Sequence, residues 1–234
     1  MLEAAARFPQ HVFVVGQARK PGAYTLSSLS TLISALFESG GPAATGSLAV
    51  KGKSLPLGSL ATALAAGVGL VPEDRKRQGL VLGLNCRENT CLAALPALTT
   101  FGWVRRAAEQ TLAERYTKRL RVKAPSLETI TAGLSGGNQQ KIVVAREMGR
   151  AFSVLLAAQP TRGVDVGAIE FIYAQLRAAR DAGKGILLVS ADLPEVLALS
   201  DRIAVMYGGR FVTVLPAAQC TAEQLGPYMT GAAV

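Results

Sequence analysis

Short apolar strands that alternate with helix-forming stretches constrain the fold of this chain more than any other feature. From residue 46 onward, apolar runs at 68–71, 154–157 and 186–189 are separated by longer stretches with helical spacing. Such alternation predicts an α/β layered fold with a mostly parallel sheet. Half of the 234 residues are hydrophobic and 18% are charged, a composition that is typical of a folded domain and excludes a disordered chain.

The charge balance is basic, with 25 Lys and Arg against 16 Asp and Glu and a net charge of +9. Such a balance suits anionic lipid headgroups, phosphorylated ligands or nucleic acid, but no dense Lys/Arg run with interleaved aromatics occurs. We therefore predict no nucleic-acid partner. Cys86, Cys91 and Cys220 lack metal-ligand spacing and are odd in number, so we expect no metal site, no disulfide framework and a reducing cytosol.

The N-terminal ten residues lack the apolar centre of a signal peptide. No stretch reaches the ~18 apolar residues that a membrane span needs. The sequence therefore predicts a cytoplasmic protein, which leaves open that it docks on a membrane protein.

The most specific motif is Leu-Ser-Gly-Gly-Asn-Gln-Gln-Lys at 134–141, which runs into the helix-forming stretch 142–148. A hydroxyl, two glycines and an amide at a helix start present backbone N–H groups to an anion such as phosphate. The octet resembles the signature loop of ATP-binding-cassette (ABC) ATPases, in the form found in sugar and nucleoside importers. The resemblance implies that ATP held by a partner cassette is contacted by Ser135, Gly136, Gly137, Asn138 and Gln139. A glycine-rich helix cap is the alternative interpretation.

The resemblance extends over residues 46–234 and implies a partial ABC ATPase, a P-loop NTPase-like layered α/β fold. Its helical subdomain is expected at about 86–150 and the rest of the nucleotide core at 151–234. Residues 70–80 resemble the loop that meets the membrane subunit, and Glu73 takes the position that touches the metal and the attacking water. A solvated charged loop is the alternative for 73–77. Asp165 matches a carboxylate that communicates across the cassette dimer.

Three positions that carry chemistry in the family are altered here. Ala158 and Gln159 stand where the family has Asp-Glu, and Ser190 stands where it has a switch histidine. Ala158 offers no oxygen to a Mg²⁺ shell, and Gln159 can orient a water molecule but cannot accept its proton. Ser190 can hydrogen-bond phosphate but carries no positive charge. The resemblance thus gives Gln159 and Ser190 the catalytic positions in degenerate form.

The P-loop pattern G-x-x-x-x-G-K-[ST] does not occur in the chain. Residues 47–54 come close, but Ser47 replaces the first glycine and the composition predicts a β-hairpin at 48–57. We therefore expect no ATP hydrolysis by the chain alone, with ATP and Mg²⁺ held mainly by a second cassette that has an intact P-loop. The resemblance also implies a membrane permease as partner and a peripheral location on the inner face of the cell membrane.

Residues 1–45 differ from the rest of the chain. A strand is predicted at 12–16, a turn at 20–22, a second strand at 23–26 and a helix at 30–39. This order resembles the soluble-ligand-binding β-grasp repeat of polysaccharide export proteins and implies a small β-grasp-like fragment before the cassette. A natural fusion, a truncated gene and an assembly artefact all stay open as origins.

Two functional hypotheses follow from these observations. The first is a degenerate ATP-binding subunit of a sugar or nucleoside importer, which contributes its signature loop to the ATP site of a partner. The alternative is a non-catalytic binding or adaptor protein that uses residues 12–41, or a gene remnant without function.

Overall fold

The computed structural model describes residues 12–15, 48–51, 53–56, 59–207 and 210–232. These residues divide into two compact units. The first takes in the described residues up to Gly69, together with Ser153–Gln159 and those from Arg177 onward. The second comprises Leu70–Phe152 and Pro160–Leu176.

The strands in the described ranges are β1 (Val12–Val15), β2 (Leu48–Val50), β3 (Lys53–Leu55), β4 (Val68–Val71), β5 (Thr99–Thr100), β6 (Trp103–Val104), β7 (Val154–Ala158), β8 (Gly185–Val189), β9 (Arg202–Tyr207) and β10 (Arg210–Pro216). The α-helices are α1 (Leu60–Ala65), α2 (Cys86–Cys91), α3 (Leu95–Leu98), α4 (Arg106–Arg119), α5 (Gly136–Met148), α6 (Val166–Asp181), α7 (Leu193–Leu199) and α8 (Ala222–Thr230). Shorter helical turns occur at Arg75–Gly79, Leu92–Ala94, Thr131–Gly133 and Ala217–Gln219. In these described ranges, no helix combines the length and the apolar character needed to cross a membrane.

A six-stranded sheet dominates the first unit, in the order β10-β9-β1-β8-β7-β4. The β7–β8, β8–β1 and β1–β9 pairs are parallel, and β10 is antiparallel to β9. The predicted mostly parallel sheet is therefore confirmed. Its interior is formed by aliphatic side chains that are almost fully buried: Leu155, Ile186, Leu188, Ile203 and Val205. Burial of such side chains on short strands is the main stabilising contribution to a layered fold.

The register of this sheet places three strand ends at one edge. Val14 of β1 and Ala158 of β7 both pair with Val189 of β8. Because the three strands are parallel, their carboxyl ends lie at the same edge of the sheet. That edge is where ligands bind in open α/β folds.

The predicted N-terminal strand is confirmed at Val12–Val15, but its surroundings were not predicted. It lies between β8 and β9 of the main sheet rather than in a small sheet of its own. The turn, second strand and helix predicted at 20–39 fall outside the described residues. The β-grasp interpretation thus gains no support from β1, and the boundary at residue 45 stays a prediction.

The second unit is mainly helical. Cys91, Ala94, Leu98 and Ala113 form a buried cluster, against which the partly buried Ala108, Leu112 and Leu127 pack. Helix α5 adds a run of four consecutive side chains that are fully or almost fully buried: Ile142, Val143, Val144 and Ala145. Because four consecutive residues surround the helix axis, this part of α5 is enclosed by its neighbours.

Several predicted element bounds shift in this unit. Helical spacing in the sequence predicts a helix at 104–120, but the helix begins at Arg106, because β5 and β6 pair as a hairpin with Thr99 opposite Val104 and Thr100 opposite Trp103. The same spacing predicts a helix at 87–95, but the helix ends at Cys91 and gives way to a tighter helical turn. In the first unit, helix α8 follows the last strand and was not predicted.

Candidate functional site

Ser135 is the N-cap of the 13-residue helix α5 and is exposed. Its Oγ accepts hydrogen bonds from the backbone N of Asn138 at 3.4 Å and from Asn138 Nδ2 at 2.9 Å. A hydroxyl that accepts two bonds keeps its own proton available for donation. The first N–H groups of a helix also lack intrahelical acceptors. Ser135 and the helix start can therefore donate hydrogen bonds to an anion.

Gly136 lies against Arg75 from the Arg75–Gly79 turn. A Cβ at position 136 would come 2.6 Å from Arg75 Nη2 and 3.1 Å from the carbonyl oxygen of Gly163. Arg75 itself donates to the carbonyl oxygens of Arg162 at 2.8 Å and of Gly163 at 3.3 Å. A planar guanidinium can bridge two carbonyls in this way, whereas an ammonium group presents a single point of charge. The glycine is thus required by contacts within the chain.

Gly137 makes a similarly close approach to the carboxylate of Asp165. A Cβ at position 137 would lie 2.5 Å from Asp165 Oδ2. The other carboxylate oxygen, Oδ1, accepts a hydrogen bond from the backbone N of Ala168 at 3.0 Å in the first turn of α6. A negative charge at the start of a helix is favourable because of the exposed N–H groups there. Asp165 thus links the first turn of α6 with the start of α5.

Asn138 and Gln139 have mainly structural contacts. Asn138 Oδ1 accepts from the backbone N of Lys123 at 2.8 Å while its Nδ2 holds Ser135. Gln139 is almost fully buried, and its Nε2 donates to the carbonyl oxygen of Thr131 at 3.1 Å. The assignment of the Gln139 side chain to nucleotide contact is therefore not supported by its position. The position of Gln139 on α5 directs its side chain inward, and the sequence around it gave no indication of this burial.

Glu73 is exposed and forms an ion pair with Arg162. Both residues line a cavity of about 720 Å³. Its other lining residues are Asp74, Arg75, Lys76, Arg77, Gln78 and Gly163. The charged loop is thus organised around the segment that contains Arg162 and Gly163, and it is more than a solvated strip. Exposed ion pairs of this kind contribute little stability, so the position of Glu73 depends mainly on the backbone.

We call this group of contacts the signature junction. It consists of the loop residues Glu73 and Arg75, the helix start Ser135–Gly137, the neighbouring pair Arg162 and Gly163, and the carboxylate of Asp165. Gly163 has φ +66°, a left-handed conformation that most other residues adopt rarely. The predicted residues Glu73, Ser135, Gly136, Gly137 and Asp165 all lie in or beside this junction.

Lys141 lies one turn into α5 and shows how the local charges act. Its Nζ donates to the carbonyl oxygen of Arg121 at 3.2 Å and lies 5.4 Å from the centroid of the Phe171 ring. Burial lowers the pKa of Lys141, and the charge of Asp165 opposes that shift. The charge of Asp165 thus acts on Lys141 in α5 as well as on the first turn of α6.

Gln159 and Ser190, here called the strand-end pair, follow β7 and β8 in the first unit. Ser190 is buried, and its Oγ donates to Gln159 Oε1 at 3.4 Å and accepts from the backbone N of Asp192 at 3.0 Å. The backbone N of Gln159 donates to the carbonyl oxygen of Val189 at 2.7 Å. Gln159 has φ 47°, which is uncommon for a residue with a side chain. The structure thus brings Gln159 and Ser190 into contact, and their assignment to catalytic positions stays a prediction.

These two groups differ in their fit to ATP and Mg²⁺. At the strand ends, Ala158 is buried and has no side-chain oxygen, and Gln159 Oε1 already accepts a hydrogen bond from Ser190 Oγ. Mg²⁺ prefers carboxylates, phosphates and water, so this pair does not fit a magnesium ion. The exposed Ser135 hydroxyl and the start of α5 fit a phosphate group.

The near-match to a P-loop at 47–54 is a hairpin. Strands β2 and β3 pair in antiparallel register, with Leu48 opposite Leu55 and Val50 opposite Lys53. Residues in an extended ladder cannot wrap their N–H groups around phosphates as a P-loop does. The predicted hairpin is confirmed, and this segment is not a P-loop.

Sequence reasoning missed two residues that organise the site. Arg75 was grouped with the charged loop, although it connects that loop to Gly163 and Gly136. Asn89 is fully buried, and its Nδ2 lies within 3.2 Å of four acceptors: the carbonyl oxygens of Val81, Leu84 and Asn85 and the hydroxyl of Thr131. Asn89 Oδ1 also accepts from the backbone N of Val81 at 3.0 Å. A polar residue within a helical stretch was the only available signal.

Comparison with known proteins defines the class of this fold. The cassette of MJ0796 from a bacterial ABC transporter matches with a TM-score of 0.71 and 20% identity, over 91% of this chain and 87% of that one. A dimeric post-hydrolysis state of the MJ0796 ATP-binding cassette, bound to ADP and Pi, matches with the same TM-score and 19% identity. The chain therefore has the fold of an ATP-binding cassette.

Sequence comparison narrows the relationship. The ribose import ATP-binding protein RbsA of Chromobacterium violaceum is 44% identical over 189 residues, which cover 81% of this chain and 38% of that protein. The RbsA proteins of Rhodopirellula baltica and Corynebacterium glutamicum are 39% and 42% identical, over 83% and 77% of this chain. No protein-family profile matches the chain. The chain thus has an ATP-binding-cassette fold and is related in sequence to the ribose import ATP-binding proteins, and it spans little more than a third of the length of these relatives.

Proposed function

We propose that the chain acts as a signature-donating ATP-binding subunit of an ABC importer for ribose or a related sugar or nucleoside. In this role, Ser135 and the first N–H groups of α5 bind the terminal phosphate of ATP held by a second cassette. The relatives that match most of the chain carry the name of ribose import ATP-binding proteins, which supports this assignment. The transported solute is proposed from that relationship alone.

The observation that carries the proposal is the geometry of Ser135. The hydroxyl is exposed, its two acceptor positions are filled by Asn138, and its proton is available to an incoming phosphate oxygen. The positive end of a 13-residue helix lies immediately behind it. These are the features that an anion site at a helix start requires.

The nucleotide and its metal are proposed to be held mainly by the partner cassette. The strand-end pair has no carboxylate for Mg²⁺ and no general base for the attacking water, and the sequence has no P-loop. Phosphoryl transfer depends almost entirely on positioning and charge stabilisation, so these losses should remove hydrolysis by the chain alone. A membrane permease is the third proposed component, with the chain located at the cytoplasmic face of the membrane.

The adaptor hypothesis receives less support from the structure. It required residues 12–41 to act as a separate ligand-binding element, and β1 is instead a strand of the main sheet. No described contact favours a polysaccharide ligand.

A nucleotide-dependent association experiment tests the proposal. The full chain is mixed with the Chromobacterium violaceum RbsA protein, as a cassette partner chosen by sequence similarity, with and without a non-hydrolysable ATP analogue. We expect the analogue to strengthen association at least about tenfold, since a charge-assisted phosphate contact contributes on the order of 1.5–3 kcal/mol. Analytical ultracentrifugation measures the effect.

Two variants make this experiment specific. Ser135→Arg places a bulky side chain at the phosphate position and should abolish the effect of the analogue, whereas Ala182→Arg adds the same charge at an exposed position after α6 and should preserve it. Nucleotide-dependent association that is unchanged by Ser135→Arg would contradict the proposal. The isolated chain should also show no saturable binding of a labelled ATP analogue at micromolar concentration.

A further inference from the structure

Two aromatic side chains project into solvent at the tip of the β5–β6 hairpin. Phe101 is 99% exposed and Trp103 is 81% exposed. At the usual 150–250 Å² per aromatic side chain, the two rings expose roughly 300–400 Å² of apolar surface. Patches of this size on soluble proteins commonly mark interaction sites.

The base of this hairpin is firmly held, so the tip is presented in a defined position. Leu98, immediately before β5, is buried in the cluster with Cys91, Ala94 and Ala113. The backbone N of Arg105 donates to the carbonyl oxygen of Leu98 at 2.9 Å. The guanidinium of Arg105 donates to the carbonyl oxygen of Ala97 at 2.7 Å. The exposed rings therefore lie on an anchored element.

The turn itself is an unfavourable place for a large apolar residue. Phe101 has φ 49° and Gly102 has φ 81°, which are the two left-handed positions of a tight hairpin turn. Asn or Asp is preferred at the first of these positions, and a bulky residue there is uncommon. Phe101 thus has neither a conformational nor a packing reason to occupy the turn, which points to a role outside the fold.

The charges next to the hairpin indicate what it meets. Within residues 89–108 the only charged residues are Arg105 and Arg106, and both are exposed. Arg106 forms an ion pair with Glu109 at 2.9 Å, and Glu109 also pairs with Arg87. The guanidinium of Arg106 has further N–H donors that can bind a second acceptor. Apolar rings backed by cations complement an anionic lipid surface, where Trp lies at headgroup level and Arg pairs with phosphates.

A membrane protein is a less suitable occupant on the same grounds. The cytoplasmic loops of membrane proteins carry an excess of Lys and Arg, which would repel a cationic hairpin. The overall charge of +9 also favours an anionic surface.

We propose that the β5–β6 hairpin is a membrane-contact element: Phe101 and Trp103 insert into the headgroup region of an anionic bilayer, and Arg105 and Arg106 bind lipid phosphates. The contact would attach the chain to the membrane without the permease. It is independent of the proposed signature function, because neither nucleotide nor a partner cassette takes part.

Trp103 is the only tryptophan in the chain, so its fluorescence reports directly on this hairpin. The full chain is titrated with vesicles of phosphatidylcholine containing one part in three phosphatidylglycerol, and with vesicles of phosphatidylcholine alone. We expect a blue shift of Trp103 emission and co-sedimentation with the anionic vesicles. Binding to the neutral vesicles should be at least about tenfold weaker, since each cation near an anionic surface is worth about a fivefold change.

Matched variants assign the binding to the hairpin. Phe101→Ser keeps the fluorescent reporter and should weaken binding about tenfold, whereas Val166→Ser, at an exposed apolar residue of α6, should leave it unchanged. Arg106→Gln should weaken binding about fivefold, and Lys118→Gln, at an exposed cation of α4, by less than twofold. Urea unfolding of each variant checks that the fold is retained.

Three results would overturn the proposal. The first is an absence of binding to anionic vesicles. The second is binding without any change in Trp103 emission, which would assign attachment to another basic surface. The third is a blue shift that occurs with a detergent-solubilised permease but not with protein-free anionic vesicles, since this would make the hairpin a protein-docking element.

Discussion

The signature junction and the strand-end pair correspond to two parts of the same cassette template, and they have diverged to different extents. The junction keeps every residue type that the signature resemblance requires, from Ser135 to Gly137 and Asp165. At the strand-end pair, Gln159 and Ser190 differ from the glutamate and histidine that the resemblance implies, and one weak side-chain hydrogen bond at 3.4 Å connects them.

The difference shows which positions the fold itself needs. A Cβ added at Gly136 or Gly137 would lie within 2.6 Å of a side-chain atom of the same chain, so substitution there disturbs packing whether or not a nucleotide is bound. Ala158, Gln159 and Ser190 occupy strand ends where an acid or a base serves chemistry and contributes little to packing. The contacts within the chain therefore constrain the residue type more strongly at Gly136 and Gly137 than at Gln159 and Ser190.

The largest expected effect comes from the buried amide that supports the junction. Asn89→Ala should lower the free energy of unfolding by about 2–4 kcal/mol, since it empties a fully buried site, leaves the backbone N of Val81 without its acceptor and removes the donor to Thr131. Thr131 begins the turn that leads into Leu134 and Ser135. Urea denaturation followed by circular dichroism measures the change.

Asn138→Ala provides the matched comparison for this variant. Asn138 is only half-buried, and its side chain has two partners, the backbone N of Lys123 and the Ser135 hydroxyl, so its loss should cost about 1 kcal/mol. Equal effects of the two substitutions would show that Asn89 does not support the junction in the way the contacts indicate.

A second, smaller effect is expected from crowding at the signature glycine. Gly136→Ala brings a methyl group against Arg75 and the carbonyl oxygen of Gly163, and overpacking of this kind costs about 1–3 kcal/mol. Gly133→Ala is the control, because a Cβ there meets nothing within 4 Å. The free energies of unfolding of the two variants should differ by at least about 1 kcal/mol. Coincident unfolding curves would show that contact with Arg75 is not the reason for a glycine at position 136.

The sequence predicted much of this fold because its signals were local. The apolar runs that became β4, β7 and β8 are flanked by helical stretches, and the octet at 134–141 marks the start of α5 to within two residues. The β5–β6 hairpin was missed because Trp103 and Val104 continue smoothly into the helical pattern of α4, and only Gly102 signals a turn.

The parts that could not be predicted depend on contacts between distant residues. Arg75 and Gly163 are 88 positions apart, and nothing in the spacing of the chain indicates that a loop arginine bridges two carbonyls there. The pairing of β1 with β8 and β9 is also non-local, since about 170 or more residues separate the paired strands. The local hydrophobic pattern identified the helices, the strands and the motif at 134–141. Only the tertiary contacts show that Arg75 is the charged residue that lies against Gly136.

The smallest expected effect compares one serine from each region. Ser135→Ala removes the N-cap of a 13-residue helix and should cost about 1 kcal/mol. Ser190→Ala removes a hydroxyl that accepts from the backbone N of Asp192 at 3.0 Å and should cost about 0.5 kcal/mol, near the lower end for a neutral hydrogen bond. Thermal and urea unfolding of both variants give the two values under identical conditions. If Ser190→Ala proved the more damaging, the strand-end pair would be a structural element in its own right, and its departure from the family pattern would have a stabilising role rather than reflect relaxed constraint.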